Sequence, residues 1–118
     1  MSDRISYVFS VCINEGYLEA FREVAHQMIE NVMENEPGTL IYEWHMSDDN
    51  TACHVLESFT DSNAMLAHFA GAAELGPRLL DTCKITGMMV FGKPSPEGAQ
   101  ALEQFGAVVH RRVAGITR

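Results

Sequence analysis

Four segments of the chain have the residue pattern of strands: apolar residues recur at every second position in three of them, and the last carries apolar residues on both faces. The first segment runs from Ile5 to Ile13, and the last from Ile85 to Phe91. The middle two, 39–46 and 52–59, flank the polar turn Ser47–Thr51. We therefore expect two outer strands and a central β-hairpin, because residues of this turn tolerate the dihedral angles that reverse a chain.

The hairpin turn also predicts which residues stand opposite each other. If the chain reverses between Asp49 and Asn50, opposed residues share one face of the hairpin. That face is apolar apart from Glu57, and a shift of one residue would exchange all its partners. The expected pairs are Met46 with Cys53, Trp44 with Val55, Tyr42 with Glu57, and Leu40 with Phe59.

Helical spacing of apolar residues fills the gaps between these strands. The first helix is predicted to open at Asn14-Glu15-Gly16 and to run through about Glu34, and Pro37-Gly38 ends it. After the hairpin, Thr60-Asp61-Ser62 is an N-cap signal for a short helix from Asn63 to about Phe69. A further helical piece is expected within 72–82, divided or started by Gly76-Pro77.

The order strand, helix, strand, strand, helix, strand predicts an α+β protein with the ferredoxin-like βαββαβ fold and an antiparallel sheet. We expect residues 1–93 to form this domain. Helices cover only one face of such a sheet, and the other face here is too apolar to meet water. Packing against a second copy would cover it, so the sequence predicts a homodimer.

Residues 94–118 are predicted to be a C-terminal extension of helix and strand. Ser95 is the expected N-cap, with the helix running to Gln104 and the strand from Phe105 to Val113. Three of the eight basic residues follow in the last eight positions. Two interpretations stay open: a tail that caps its own subunit, or an arm that crosses to the acidic partner.

Composition and charge limit the possible functions. The 118-residue chain has the length of one domain, and its formal net charge of −8 would repel nucleic acid. Neither a signal peptide nor a membrane span is evident, so we expect a cytoplasmic protein without membrane contact. Three widely spaced cysteines favour reduced core thiols over disulfides or a zinc site.

Three stretches resemble the antibiotic biosynthesis monooxygenase family of dimeric α/β barrels: GTLIYEWHMSDD, HVLESFTDSNAMLAHF and KITGMMVFG. The resemblance extends from about Arg4 to Gly92. Its most specific block runs from Glu57 to His68, where a strand glutamate precedes an aromatic residue, a cap and a helix ending in Ala-His. This likeness supports the predicted fold and dimer.

The resemblance implies cofactor-free oxygenation of a quinol-like or polyphenolic, apolar aromatic molecule. An electron-rich phenolate can pass an electron to dioxygen itself, so the protein need only bind the ring, remove a proton and exclude water. Neither a metal nor a flavin is needed. The sequence agrees, with no phosphate-binding glycine loop and no histidine–carboxylate cluster at ligand spacing.

His68 is the candidate base, and Glu57 its polar partner or a ligand anchor. Both have structural alternatives: His68 could hold a helix end, and Glu57 could bond to Tyr42 across the hairpin. The predicted substrate-binding residues are Tyr42, Trp44, Phe59 and Met65, with the first two as an aromatic wall or, alternatively, as core.

Two other functions remain open from the sequence. Haem-degrading relatives of the same fold also carry a histidine at a position like His68, where it would bind the iron. They also have an asparagine on the first strand and a tryptophan before the helix, whereas this chain reads SYVFSV and LESF there. The remaining alternative is a non-catalytic dimer that binds a small apolar ligand.

Overall fold

The computed structural model describes residues 3–118. Its elements confirm the predicted order, with the second helix divided in two. No helix of this region is long and apolar enough to cross a lipid bilayer. The elements are β1 (Ile5–Ile13), α1 (Leu18–Asn35), β2 (Thr39–Met46), β3 (Ala52–Phe59), α2 (Ser62–Gly71), α3 (Leu75–Leu80), β4 (Cys83–Phe91), α4 (Pro96–Glu103) and β5 (Val108–His110).

The strands form one sheet in the order β2-β3-β1-β4-β5. The first four strands are antiparallel, which confirms the ferredoxin-like core. β5 instead pairs parallel with β4, because the chain returns through α4 before it joins the sheet edge. The sheet is therefore mixed. The predicted fifth strand over 105–113 is reduced to three residues, Val108–His110.

The hairpin register is confirmed for three of the four predicted pairs. Met46 lies opposite Cys53, Trp44 opposite Val55, and Tyr42 opposite Glu57. The fourth pair is wrong, since Thr39 rather than Leu40 faces Phe59. A bulge between Thr39 and Ile41 inserts the extra residue and leaves Leu40 48% exposed.

The helices pack against one face of the sheet through two clusters of buried apolar side chains. The first lies under α1 and α3, and its members include Val11, Phe21, Met28, Val55 and Leu79. The second lies under α2 and α4, and its members include Ile5, Tyr7, Phe59, Met65, Val90 and Leu102. The C-terminal helix is thus part of the core.

Predicted capping residues join α4 to the rest of the fold. Asp61 accepts a hydrogen bond from the backbone of Ala64 at 2.8 Å, and Ser95 accepts one from the backbone of Gly98 at 3.1 Å. The backbone N–H of Ser95 in turn donates to the Ser62 hydroxyl at 2.9 Å. This last bond connects the starts of α2 and α4.

Two of the three cysteines fit the prediction of small core residues. Cys53 and Cys83 are buried free thiols, whereas Cys12 is exposed. Burial raises the pKa of the Cys53 thiol to about 11, so this group is neutral at physiological pH. The core prediction is wrong for Cys12 because its side chain alternates to the sheet face without helices.

Truncation of Leu102 tests whether α4 belongs to the core. Leu102 is 1% exposed, so Leu102→Ala should lower the free energy of unfolding by about 2–5 kcal/mol in urea denaturation. The matched control is Met33→Ala, at a side chain on α1 that is 81% exposed, where a change within about 0.5 kcal/mol is expected. Equal, small effects of both substitutions would contradict the packing of α4.

Candidate active site

A cavity of about 410 Å³ lies between the sheet and the helices. Its walls are mostly apolar, as in small-molecule sites generally. Aromatic side chains make up much of this wall: Tyr7, Phe9, Tyr42, Trp44, Phe69 and Phe105. The only carboxylate and the only imidazole among the described lining residues are those of Glu57 and His68. No described lysine or arginine lines the cavity.

His68 lies between two carboxylates. Its Nε2 is 3.0 Å from Glu57 Oε1, and its Nδ1 is 2.7 Å from Glu36 Oε1. All three side chains are at most 6% exposed. Two hydroxyl groups extend the chain of contacts, since Tyr7 donates to Glu57 Oε1 at 2.7 Å and Thr39 donates to Glu36 Oε1 at 3.0 Å. We call these five residues the Glu-His-Glu network.

Five separate elements bring the network together, and Thr39 is the member on β2. Tyr7 on β1 and Glu57 on β3 are direct cross-strand partners, so their side chains share the inner face. Glu36 caps the end of α1, where its backbone N–H bonds to the carbonyl of Val32 at 3.0 Å. His68 lies in the last turn of α2, where the helix dipole favours a positive charge.

Burial and the two carboxylates have opposite effects on His68. Burial alone lowers the pKa of the imidazole, whereas the hydrogen bonds and charges of Glu57 and Glu36 raise it. The net pKa lies above the ordinary value, so the proton is held more tightly than on a free histidine. Burial, and next the charge of Glu57, also raise the pKa of Tyr7 and Tyr42, which keeps both phenols protonated.

The aromatic residues predicted for the wall lie on the cavity. The Trp44 ring meets Tyr42 edge-on at 5.6 Å between centroids and Phe21 at 5.7 Å. Tyr42 in turn approaches the His68 ring at 5.1 Å. These edge-on contacts hold the wall in one arrangement.

Phe59 and Met65 lie elsewhere than the sequence predicted. Both are fully buried in the cluster under α2 and α4, and neither lines the cavity. The Phe59 ring packs against the His68 ring instead, with 5.4 Å between the two ring centroids. Both side chains point inward as predicted, but the helix layer already covers them.

The alternative considered for Glu57, a bond to Tyr42 across the hairpin, is not the bond that the structure shows. Tyr42 is the cross-strand neighbour of Glu57 on β2, but the hydroxyl that reaches the carboxylate belongs to Tyr7 on the opposite side. Glu57 has a strand neighbour on each side because β3 lies between β1 and β2. The hairpin alone could not show this third strand.

Sequence reasoning missed Glu36 and the role of Tyr7. One signal was available for Glu36: it is an acid at the negative end of a helix, a position that the helix dipole disfavours. Such a residue needs a specific cationic or hydrogen-bonding partner. Tyr7 had a weaker signal, since it is the only phenol on the inner face of β1.

The remaining histidines of the hairpin show no site. His45 and His54 face each other as predicted, but His54 bonds to the Ser10 hydroxyl at 2.7 Å and His45 to Glu43 at 3.3 Å. Across residues 3–118, no group of three histidine, cysteine or acidic side chains is arranged to hold a metal ion.

The chain belongs to the antibiotic biosynthesis monooxygenase family. The family model matches residues 5–73, more than half of the chain. All five residues of the Glu-His-Glu network lie inside this span. No curated protein shows a significant match.

Solved structures share the fold at low sequence identity. MupZ from Pseudomonas fluorescens is 23% identical with a TM-score of 0.85, over 99% of this chain and 96% of MupZ. SnoaB, a cofactor-independent oxygenase from Streptomyces nogalater, is 15% identical with a TM-score of 0.67, over 80% of this chain and 96% of its own. A conserved protein from Methanosarcina mazei Go1 is 18% identical with a TM-score of 0.68, over 78% and 93% of the two chains.

The raised pKa of His68 predicts a pH-dependent contribution to stability. The contribution is fully present below the unfolded-state pKa of about 6.5 and is lost as the pH rises through the folded-state value. We expect His68→Gln to lower the free energy of unfolding by about 3–5 kcal/mol at pH 6, since it leaves two buried carboxylates without their cation. The loss should be smaller at pH 9 in urea denaturation.

The control for this experiment is His26→Gln on the exposed side of α1. It should change the free energy of unfolding by no more than about 0.5 kcal/mol at either pH. A loss for His68→Gln that grows between pH 6 and pH 9 would contradict a charged His68 in the folded protein.

Proposed function

We propose that this protein is a cofactor-independent monooxygenase that oxidises a quinol-like or polyphenolic aromatic molecule inside the cavity. One observation carries the proposal: a buried glutamate–histidine pair lies on the wall of an otherwise aromatic and apolar chamber. Such a chamber can bind a flat ring, hold a proton acceptor against its hydroxyl group and exclude water. Membership of the monooxygenase family and the likeness to SnoaB support this function.

The proposed reaction begins with proton transfer from a substrate hydroxyl to Glu57. Both ring nitrogens of His68 already contact carboxylates, so Glu57 is the member of the pair that can meet the substrate directly. The positive charge of His68 stabilises the phenolate that forms. His68 and Glu57 thus act as one acid–base unit, with Tyr42 and Trp44 as the aromatic wall beside it.

Dioxygen is the oxidant in the next steps. The phenolate gives one electron to dioxygen, and the resulting radical pair combines to form a carbon–oxygen bond. The hydroperoxide loses water as its O–O bond breaks and the ring C–H proton leaves. The hydroperoxide takes its proton from Glu57, which restores the starting state of the network. One oxygen atom stays in the quinone and the other leaves as water. The ring supplies all four electrons that reduce dioxygen, two on forming the hydroperoxide and two when its O–O bond breaks.

The contacts of His68 disfavour the haem alternative. Haem iron needs a free ring nitrogen, but both nitrogens of His68 lie within 3.0 Å of a carboxylate oxygen. Iron binding would leave a buried carboxylate without its partner, which is costly. The non-catalytic ligand-binding dimer is the alternative that the following experiment separates from an oxygenase.

Oxygen consumption tests the proposed reaction directly. Metal-stripped protein should consume dioxygen with a panel of quinols well above a protein-free autoxidation control. Glu57→Gln should lower this rate by about 100-fold or more, because it removes the proton acceptor without changing its shape. His68→Ala should also lower the rate strongly.

Cys53→Ser is the matched control, because its buried side chain is on the same strand but does not line the cavity. It should retain the activity of the unchanged protein. Oxygen uptake no faster than autoxidation, together with thermal stabilisation by the same aromatic molecules, would contradict the oxygenase and favour a binding module.

We also propose that the protein is a homodimer through the sheet face without helices. A row of neighbouring side chains crosses this face: Leu56, Val8, Met89 and Val108. Met89 and Val108 are 50% and 58% exposed, and the nearby Phe91 is 41% exposed. A contiguous apolar patch of this kind is typical of an interface.

A charge in this row should disrupt the dimer. Light scattering after size-exclusion chromatography should give twice the chain mass for the unchanged protein at micromolar concentration and a monomer for Met89→Glu. Met33→Glu, on the solvent side of α1, should remain dimeric. A monomeric unchanged protein would refute this proposal.

A further inference from the structure

Glu36 is buried in the protein without facing the cavity. Its side chain is 6% exposed and contacts His68 on the side opposite Glu57. It does not line the cavity, so it cannot contact a bound substrate there. A carboxylate buried in such a place is costly unless it is paired, and His68 is the partner of Glu36.

The two contacts of His68 fix how many protons the network holds. Each short contact between a ring nitrogen and a carboxylate oxygen needs one proton between them, because two bare acceptors repel. Two contacts therefore need two protons. These are present if His68 is charged and both carboxylates are ionised, or if His68 is neutral and one carboxyl group is protonated. In both cases the three side chains carry one net negative charge.

The described contacts of Glu36 and Glu57 give the network no positive charge besides that of His68. The groups that face His68 are Glu36 from the end of α1, Glu57 from β3 and Tyr42 from β2, with Tyr7 from β1 reaching it through Glu57. Both phenols are neutral, since burial and the neighbouring carboxylate raise the pKa of each. No described lysine or arginine lines the cavity.

The chain also makes room for the Glu36 carboxylate. A Cβ atom at Gly71, the last residue of α2, would be 2.8 Å from Glu36 Oε2. Any other residue at position 71 would therefore push against the carboxylate. Thr39 fixes the other oxygen, Oε1, through its hydroxyl group. Thr39 thus orients one oxygen of Glu36, whereas Oε2 lies buried beside Gly71 without a described hydrogen-bond partner.

We infer that Glu36 is a positioning residue that keeps the proton of His68 between the imidazole and Glu57. With Glu36 present, the Glu-His-Glu network beside the cavity carries one net negative charge. This inference deepens the proposed function. It rests on that function in one respect, because it takes the cavity as the ligand site. When the substrate gives its proton to Glu57, the negative charge moves from the network to the substrate. The total charge of the network and the substrate together stays the same. A ligand that is already an anion would bring a second negative charge into the same apolar chamber, so the cavity selects neutral hydroxylated rings over carboxylates.

The first test follows the titration of His68 by nitrogen-15 NMR of the full chain. Glu36→Gln keeps the shape and removes the charge, so His68 should release its proton at a lower pH than in the unchanged protein. Glu36→Asp should restore part of the difference. Glu34→Gln makes the same change at an exposed carboxylate of α1 and should leave the titration of His68 nearly unchanged. Identical titration of His68 in the unchanged protein and in Glu36→Gln would overturn the inference.

The second test measures ligand charge preference with 2-naphthol and 2-naphthoate, which have similar size but differ in charge at pH 7. The unchanged protein should bind the naphthol more tightly, and Glu36→Gln should narrow the ratio of the two dissociation constants by about tenfold or more. Glu34→Gln, at an exposed carboxylate, should leave that ratio unchanged. An unaltered ratio in Glu36→Gln would overturn the assignment of charge selection to Glu36.

These tests separate the inference from the proposed function. Both use binding or titration, so they remain informative if the unchanged protein consumes no dioxygen with any quinol. That result would remove the oxygenase and leave the role of Glu36 to be judged on the NMR titration and the binding ratio. With an active protein, Glu36→Gln should lower kcat by about 10- to 100-fold while changing KM for a neutral quinol little, because Glu36 does not contact the substrate.

Discussion

The contact of His68 with two buried carboxylates constrains the whole structure. Taking these groups out of water is costly, and only short, well-aligned contacts offset that cost. Glu36 comes from the end of α1, Glu57 from the middle of β3, and His68 from the last turn of α2. A small displacement of any of these elements would leave a buried carboxylate without a partner. The network therefore couples the geometry of the helix layer to that of the sheet.

The same arrangement explains why the cavity is next to the network rather than elsewhere. Polar contacts hold His68 between the two apolar clusters. The aromatic side chains of the sheet and of α2 do not fill the space there, and this space is the cavity. Phe59 and Tyr42 close around the imidazole at 5.4 and 5.1 Å between ring centroids. Electrostatic interactions are stronger in such a dry environment, so the carboxylates control the proton of His68 more strongly than they would in water.

Local patterns were sufficient to predict most of the fold and part of the site. Alternation gave the inner face of the hairpin, including Glu57 among apolar neighbours, and capping residues gave the starts of α2 and α4. Contacts between distant segments could not be predicted in this way. Glu36 meets His68 across 32 positions of sequence, and no periodicity links them. The bulge beside Leu40 and the parallel pairing of β5 likewise depend on tertiary packing rather than on local pattern.

Two parts of the chain line the cavity, and this affects which ligands can fit into it. The acid–base groups all lie within the span matched by the family model, residues 5–73. Part of the wall that faces them comes from Ala101, Gln104 and Phe105, at the end of α4, outside that span. Leu102 packs in the core and holds this segment in place, so this part of the wall has a fixed position. The acid–base groups and this part of the wall therefore lie in separate segments, and a change in α4 can alter which ring fits without changing the groups that would act on it.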